Sequence, residues 1–211
     1  IMEEHYKILK ELIRLGKADT VRLIYNTNFT RQAYKDLNVF DYWPEFKDVS
    51  VGASLDAMGP RAELMRNGTK WADVEHNRET MLKKCPNVDF YISPTVGIFN
   101  YSHVIDFHND WMEKGFVKEG DLNLNMIQDP LHYRIDVITP KMKREVEPKY
   151  KEHIEKIRPK DYLGRATGGF ESALNMMMAE DRTDLLPTFK RITAQLDRHR
   201  GQETHEIFPE L

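Results

Sequence analysis

Ser54, Asp56 and Arg66 are the residues whose types and spacing point most directly to chemistry. An arginine can grip a carboxylate through two parallel hydrogen bonds. A serine hydroxyl and an aspartate, in turn, supply oxygens for the amino and hydroxyl groups of the same molecule. A small ligand with a carboxylate at one end and a ribose at the other needs such a set. Asn26 and Asn28 add two amides, and because alternating strand positions share a face, both could enter one mouth. Each residue also has a plainer role: Ser-Leu-Asp as a strand-to-turn junction, Arg66 as a surface helix residue, the asparagines as turn residues.

The elements that must position these groups follow from period-two alternation. Val49, Val51, Ala53 and Leu55 alternate with Ser50, Gly52, Ser54 and Asp56, and the strand runs into a turn at Gly59-Pro60. Val21 to Asn28 reads as an earlier strand, and Met2 to Leu15 as the helix before it. Helices follow over Trp71–Lys84 and from an N-cap at Ser102 to about Gly115. Further strands are expected over Val88–Val96 and Leu122–Ile127. This alternation is the sign of parallel βα units. After Asp129-Pro130 the pattern becomes helical: a stretch begun by Thr139-Pro140 and kinked or restarted at Pro148, then a break at Arg165–Gly169 and a further helix. A last helix over Thr183–Arg200 is closed by Gly201.

Composition narrows the classes. The chain has 211 residues, a formal charge of −3 and a pI near 6.3, against the basic excess of a nucleic-acid binder. No apolar run approaches a membrane span, and no membrane partner is expected. The one cysteine, Cys85, offers no intrachain disulfide and reads as a small buried apolar group, consistent with a cytoplasmic protein. The eight histidines form no convincing metal site, since His103 and His108 do not share a helix face as an i,i+4 pair would. Asn28-Phe-Thr, Asn67-Gly-Thr and Asn100-Tyr-Ser match the glycosylation pattern and read as chance occurrences. Met176 to Met178 read as core packing.

Asn-Thr-Asn28 ending one strand, and Ser-Leu-Asp56 followed by Arg66 before a glycine ending the next, resemble the third and fourth strands of the radical S-adenosylmethionine (radical SAM) barrel. The C-terminal RITAQLDRHRG…IFPEL looks like the end of twitch domain-containing radical SAM proteins. The resemblance implies an α/β fold: a partial (β/α)6 TIM-like barrel missing its first strands over residues 1–130, with a helical C-terminal extension over 131–211. It implies cofactor contacts from Asn28, Ser54, Asp56, Arg66, Thr95, Leu124 and Asn125, with Asn100 beside Thr95. Ser54 and Arg66 would meet the methionine part of S-adenosyl-L-methionine.

The resemblance further implies a [4Fe-4S] cluster on a Cys-x3-Cys-x2-Cys loop, and this chain has one cysteine. The expectation is therefore that the sequence, which begins at Ile1, is the C-terminal part of a longer enzyme whose other part holds the cluster. An auxiliary iron–sulfur cluster is implied by the family alone. Partners implied in the same way are an electron donor and a peptide or protein substrate. A non-catalytic barrel-derived binding protein that has lost the cluster remains the alternative. An unrelated barrel enzyme acting on a phosphate substrate would carry a glycine-rich cradle near its last strands, and none is visible. The chain by itself should take up no stoichiometric cluster. Anaerobic reconstitution with iron counting checks this, and a cluster held by its own side chains would contradict it.

Overall fold

The computed structural model describes residues 2–211; Ile1, on which the expectation of an upstream strand turned, lies outside them. Helix α1 (Glu3–Arg14) leads into β1 (Arg22–Thr27), then a short antiparallel hairpin of β2 (Ala33–Tyr34) and β3 (Leu37–Asn38). Two single 3-10 turns precede β4 (Asp48–Ala53). There follow α2 (Gly59–Met65), α3 (Trp71–Lys84), β5 (Asp89–Ile92), β6 (Thr95–Val96), α4 (His103–Glu113) and β7 (Asn125–Met126). The chain ends with α5 (Pro140–Ile157), α6 (Arg165–Ala179), α7 (Leu186–Arg200) and α8 (Thr204–Ile207). No described helix is long and apolar enough to cross a membrane.

The strands pair in parallel in the order β1-β4-β5, a bridge joins Ile92 to Leu122, and β6 pairs with β7. The sheet is open, and no closed barrel forms among the described residues. The expected strand over 88–96 is divided at Pro94, which has no N–H to donate. Val49, Val51 and Ala53 are buried on one face of β4, as are Phe90 and Ile92 on β5, so the apolar half of each period-two pattern makes the core. On β1, Leu23, Tyr25 and Thr27 are half-buried while Arg22, Ile24 and Asn26 stay exposed. The Tyr25 hydroxyl lies 2.9 Å from His5 Nε2 and its ring 5.0 Å from Trp43, which fixes α1 and the 3-10 turns on that side.

Four local expectations need correction. Gly59-Pro60 is not a free turn but the start of α2, with Pro60 in the first turn where its missing N–H costs nothing. Ser102 precedes α4 but makes no side-chain cap. Pro148 neither ends nor restarts α5, which runs unbroken with Val146 and Tyr150 buried on either side of it. The break expected at Arg165–Gly169 falls earlier: α6 starts at Arg165, after Gly164 turns the chain at φ 65°. Gly169 lies inside α6 because Leu124 packs there; a β-carbon would stand 2.9 Å from Leu124 Cδ1.

Helix α5 binds to α4 along a polar seam. Lys149, His153 and Lys156 recur at helical spacing and meet Asp106 at 2.8 Å, His108 at 3.0 Å and Asn109 at 2.7 Å. Between them Tyr150 donates its hydroxyl to the Tyr101 carbonyl at 2.6 Å. His108 and His153 are both buried, they share one hydrogen bond between Nδ1 and Nε2, and Phe170 of α6 stacks on His108. Their outward nitrogens, His108 Nε2 and His153 Nδ1, have no partner. Burial pushes His108 down to about 4 and His153 down to about 3, the latter also opposed by any charge on His108.

Both histidines therefore fold neutral, while in the unfolded chain they take protons near their ordinary value of about 6.5. Their contribution to stability is full above that value and is lost as pH falls toward about 4. Urea unfolding at pH 7.5 and pH 5 should show a loss on the order of 2 kcal/mol per histidine. His153→Gln keeps a donor for His108 but cannot titrate, so its loss should be about half as steep. Equal slopes in the two proteins would contradict this account.

Candidate functional site

The C-terminal ends of the strands carry one connected polar network. β1 and β4 are in register with Asn26 opposite Gly52, β4 and β5 with Gly52 opposite Tyr91, and β6 and β7 with Thr95 opposite Asn125. Asn26 thus lies on the Gly52 face of the larger sheet and Thr95 beside Asn125 in the smaller one, while Asn28, Ser54 and Ser93 stand just past the ends of β1, β4 and β5. Gly52 is needed on this face because a β-carbon there would stand 2.9 Å from the Tyr91 ring.

Asp56 is the centre of the network. It lies just past β4, in the turn before α2, and is 9% exposed. One carboxylate oxygen accepts the Thr95 backbone N–H at 2.8 Å, and the other accepts Arg66 Nε at 2.7 Å. Its own carbonyl accepts Asn100 Nδ2 at 2.8 Å. The same Asn100 amide donates to the Thr95 carbonyl at 3.1 Å, and its oxygen accepts the Gly97 N–H at 2.9 Å. Asn100 is fully buried, and all of these groups are satisfied within the protein.

Arg66 follows α2 as its C-cap, which brings the guanidinium back over the strand ends. Nη1 donates to Asn28 Oδ1 at 2.8 Å, so one side chain ties β1, the β4 turn and, through Asp56, the start of β6. Among the described residues Nη2 has no protein partner, nor has the Ser54 hydroxyl or the exposed Asn26 amide. Asn125 Nδ2 donates to Ser93 Oγ at 3.0 Å. Of the seven residues singled out from the sequence, Asn28, Asp56, Arg66 and Thr95 are directly bonded into one cluster. Ser54 stands just past β4, and Asn125 pairs with Thr95 on β7. The side chain of Leu124 instead joins the apolar core against Gly169.

The groups left open suit the polar ends of S-adenosylmethionine: Nη2 of Arg66 for a carboxylate, Ser54 and Asn26 for amino or hydroxyl groups. An iron–sulfur cluster does not fit these residues. Cys85 is buried at the end of α3, its thiol points to the Phe40 carbonyl at 3.5 Å, and burial pushes it up to about 11, away from the thiolate a cluster needs. Among the described residues no three His, Cys, Asp or Glu side chains group to hold a metal ion. The sequence reading missed the Asp56–Thr95 and Arg66–Asn28 bonds, as well as the His108–His153 pair. Its only signal for the first was an aspartate placed where a strand ends.

No family model matches the chain, and no curated protein matches it. Two solved structures do. A structure of native anSMEcpe, a radical SAM enzyme, with bound AdoMet and Cp18Cys peptide matches at 22% identity and a TM-score of 0.53, over 76% of this chain and 45% of that one. A hexahistidine-tagged anSMEcpe with bound AdoMet matches at 20% identity and a TM-score of 0.48, over 80% of this chain and 42% of that one. The chain thus spans less than half the length of the solved proteins it matches. At this identity the first likeness establishes the fold: an α/β unit with a parallel sheet resembling part of a radical SAM structure.

The network makes a direct claim about energy. Removing Arg66 leaves Asp56, mostly buried, with a single donor. Arg66→Ala should destabilise the fold by about 1.5–3 kcal/mol, the range for hydrogen bonds to charged groups. A double-mutant cycle with Asp56→Asn should show coupling of about 1 kcal/mol or more. Additive losses in chemical denaturation would show that the pair is incidental.

Proposed function

We propose that this chain is the S-adenosylmethionine-binding part of a radical SAM enzyme. Residues 1–130 would be strands three to six of a partial (β/α)6 barrel and 131–211 its helical extension. The observation that carries the reading is Arg66: it is anchored by Asp56 at Nε and by Asn28 at Nη1, and its Nη2 is left open at the strand ends. A guanidinium held on two sides is already oriented, so little freedom is lost when it takes a carboxylate. Ser54, just past the end of β4, would serve the amino or hydroxyl groups of the same ligand. Asn28 and Thr95 keep the strand ends at fixed spacing, and Leu124 supports the wall from the core side.

Reductively cleaved S-adenosylmethionine supplies a 5′-deoxyadenosyl radical for hydrogen abstraction. What these residues contribute is binding, orientation and exclusion of water. The fold likeness to a structure with bound AdoMet supports the cofactor, and the Cp18Cys peptide in that structure supports a peptide substrate. The [4Fe-4S] cluster, its electron donor and any auxiliary cluster belong to the whole enzyme in this reading, because Cys85 does not suit them.

Calorimetric titration with S-adenosylmethionine tests the site. Arg66→Ala should weaken binding ten- to a hundredfold, about 1.5–3 kcal/mol, and Arg66→Lys should recover only part of the loss. Ser54→Ala should cost less, about 0.5–1.5 kcal/mol, as a neutral hydrogen bond does, and should leave the circular dichroism spectrum unchanged. Wild-type affinity in a folded Arg66→Ala protein would reduce the network to scaffold.

A further inference from the structure

A second group of charged side chains lies at the other end of the sheet from Asp56. A cavity of about 230 Å³ opens there beside the start of β5, between α3 and the turn that follows α4. Arg78 and Leu82 of α3, Val88 and Asp89 at the start of β5, and Lys118 and Asp121 ahead of Leu122 line it. None of these residues belongs to the strand-end network.

Arg78 is the feature that packing leaves unexplained. It is 7% exposed, and its Nε and Nη2 both donate to one acceptor, the Phe116 carbonyl, with Nε at 2.8 Å. Its guanidinium lies 4.0 Å from the centre of the Phe90 ring. A cation is costly to bury without a counter-ion, and among the described residues no carboxylate bonds to this one. Burial pushes Arg78 down to about 10, and Asp121 opposes this only through space. Nη1 has no protein partner, yet it is not among the buried orphan atoms, so it keeps contact with solvent. The cavity that Arg78 lines gives it that contact.

Two carboxylates share the lining. Asp89 Oδ2 accepts the Ser50 hydroxyl at 3.0 Å, and Asp121 Oδ2 accepts the Lys118 N–H at 2.8 Å. The Oδ1 atom of each has no protein donor among the described residues. Asp89 is exposed, and the free oxygen of half-buried Asp121 is not closed off from solvent. Burial raises the Asp121 carboxyl, and the Asp89 charge adds to the rise, so the two groups feel each other. Lys118, exposed at the rim, brings a second cation. Two charges of each sign favour neither a free anion nor a free cation; they suit a small molecule that carries both. With a water's share of liquid volume near 30 Å³, the space holds roughly seven waters or a ligand of that size.

We propose that this cavity binds a free aliphatic α-amino acid. Its carboxylate would pair with Arg78 Nη1, its ammonium with Asp121 and Asp89, and its side chain would lie along Leu82 and Val88. The site is separate from the S-adenosylmethionine reading and does not depend on it.

L-Valine is the probe, followed by NMR of the whole chain labelled at Leu and Val methyls and at arginine Nε. Saturable shifts are expected at Leu82, Val88 and the Arg78 Nε–Hε. Isovalerate, which lacks the ammonium, and isobutylamine, which lacks the carboxylate, should each bind at least tenfold more weakly. This pair of analogues tests Arg78 without replacing a buried side chain. Asp121→Asn keeps an oxygen for the Lys118 N–H, so the fold should stand while L-valine binds at least tenfold more weakly. Absence of saturable shifts at these groups, or binding of either analogue as tightly as L-valine, would overturn the proposal. Wild-type affinity for L-valine in Asp121→Asn would overturn it as well.

Discussion

The carboxylate of Asp56 is the constraint on which the arrangement of this protein depends. A parallel sheet ends in unsatisfied backbone groups, and at the top of β5 the chain also meets Pro94, which has no N–H to offer. Asp56 takes the next available donor, Thr95 N–H, and uses its second oxygen for Arg66. Its carbonyl meanwhile holds Asn100, which closes the turn after β6. One short acidic side chain thus ends the pairing between β4 and its neighbour, starts the pairing of β6 with β7, and aims a cation. In this node a nearly buried carboxylate meets a guanidinium that keeps 28% of its side chain exposed, so the charges stay paired and hydrogen-bonded without full desolvation of both.

The helices after residue 130 are held to the sheet unit by interactions of a different kind. The α4–α5 seam mixes lysine–acid contacts with a neutral histidine pair and a buried tyrosine. The C-terminal segment adds an aromatic plug, Phe208, and a carboxylate, Glu210, gripped by Arg61 and His103. Lys149–Asp106 is partly exposed and contributes little by itself, while the Glu210 pairs are more sheltered. The buried aromatic surface of Phe208 and Tyr150 supplies most of the attraction, and the polar contacts set the register.

Much of this was legible from the residues. Alternation over Val49–Asp56 located one strand, and Val21–Asn28 was legible as another that ends in small hydrogen-bonding residues. Thr139 was readable as a cap because its hydroxyl does accept the Met142 N–H at 3.3 Å. What escaped was mostly non-local. Arg66 and Asn28 are 38 positions apart, and His108 and His153 are 45 apart, so no local period links them. The unbroken α5 ran against the usual effect of Pro148 because burial on both sides of the proline outweighed one lost backbone bond. Gly169 resembled a helix breaker only because its partner, Leu124, lies 45 positions away, just before β7.

The central claim is that Arg66 is fixed by Asp56 through Nε while Nη2 stays available to a ligand, and side-chain NMR of the guanidinium tests it directly. The Arg66 Nε–Hε resonance should be shifted downfield, exchange slowly with water, and stay in place when S-adenosylmethionine is added, while the Nη resonances move. An Arg66 signal that matches a free arginine, or an Nε signal displaced by the cofactor, would contradict the account.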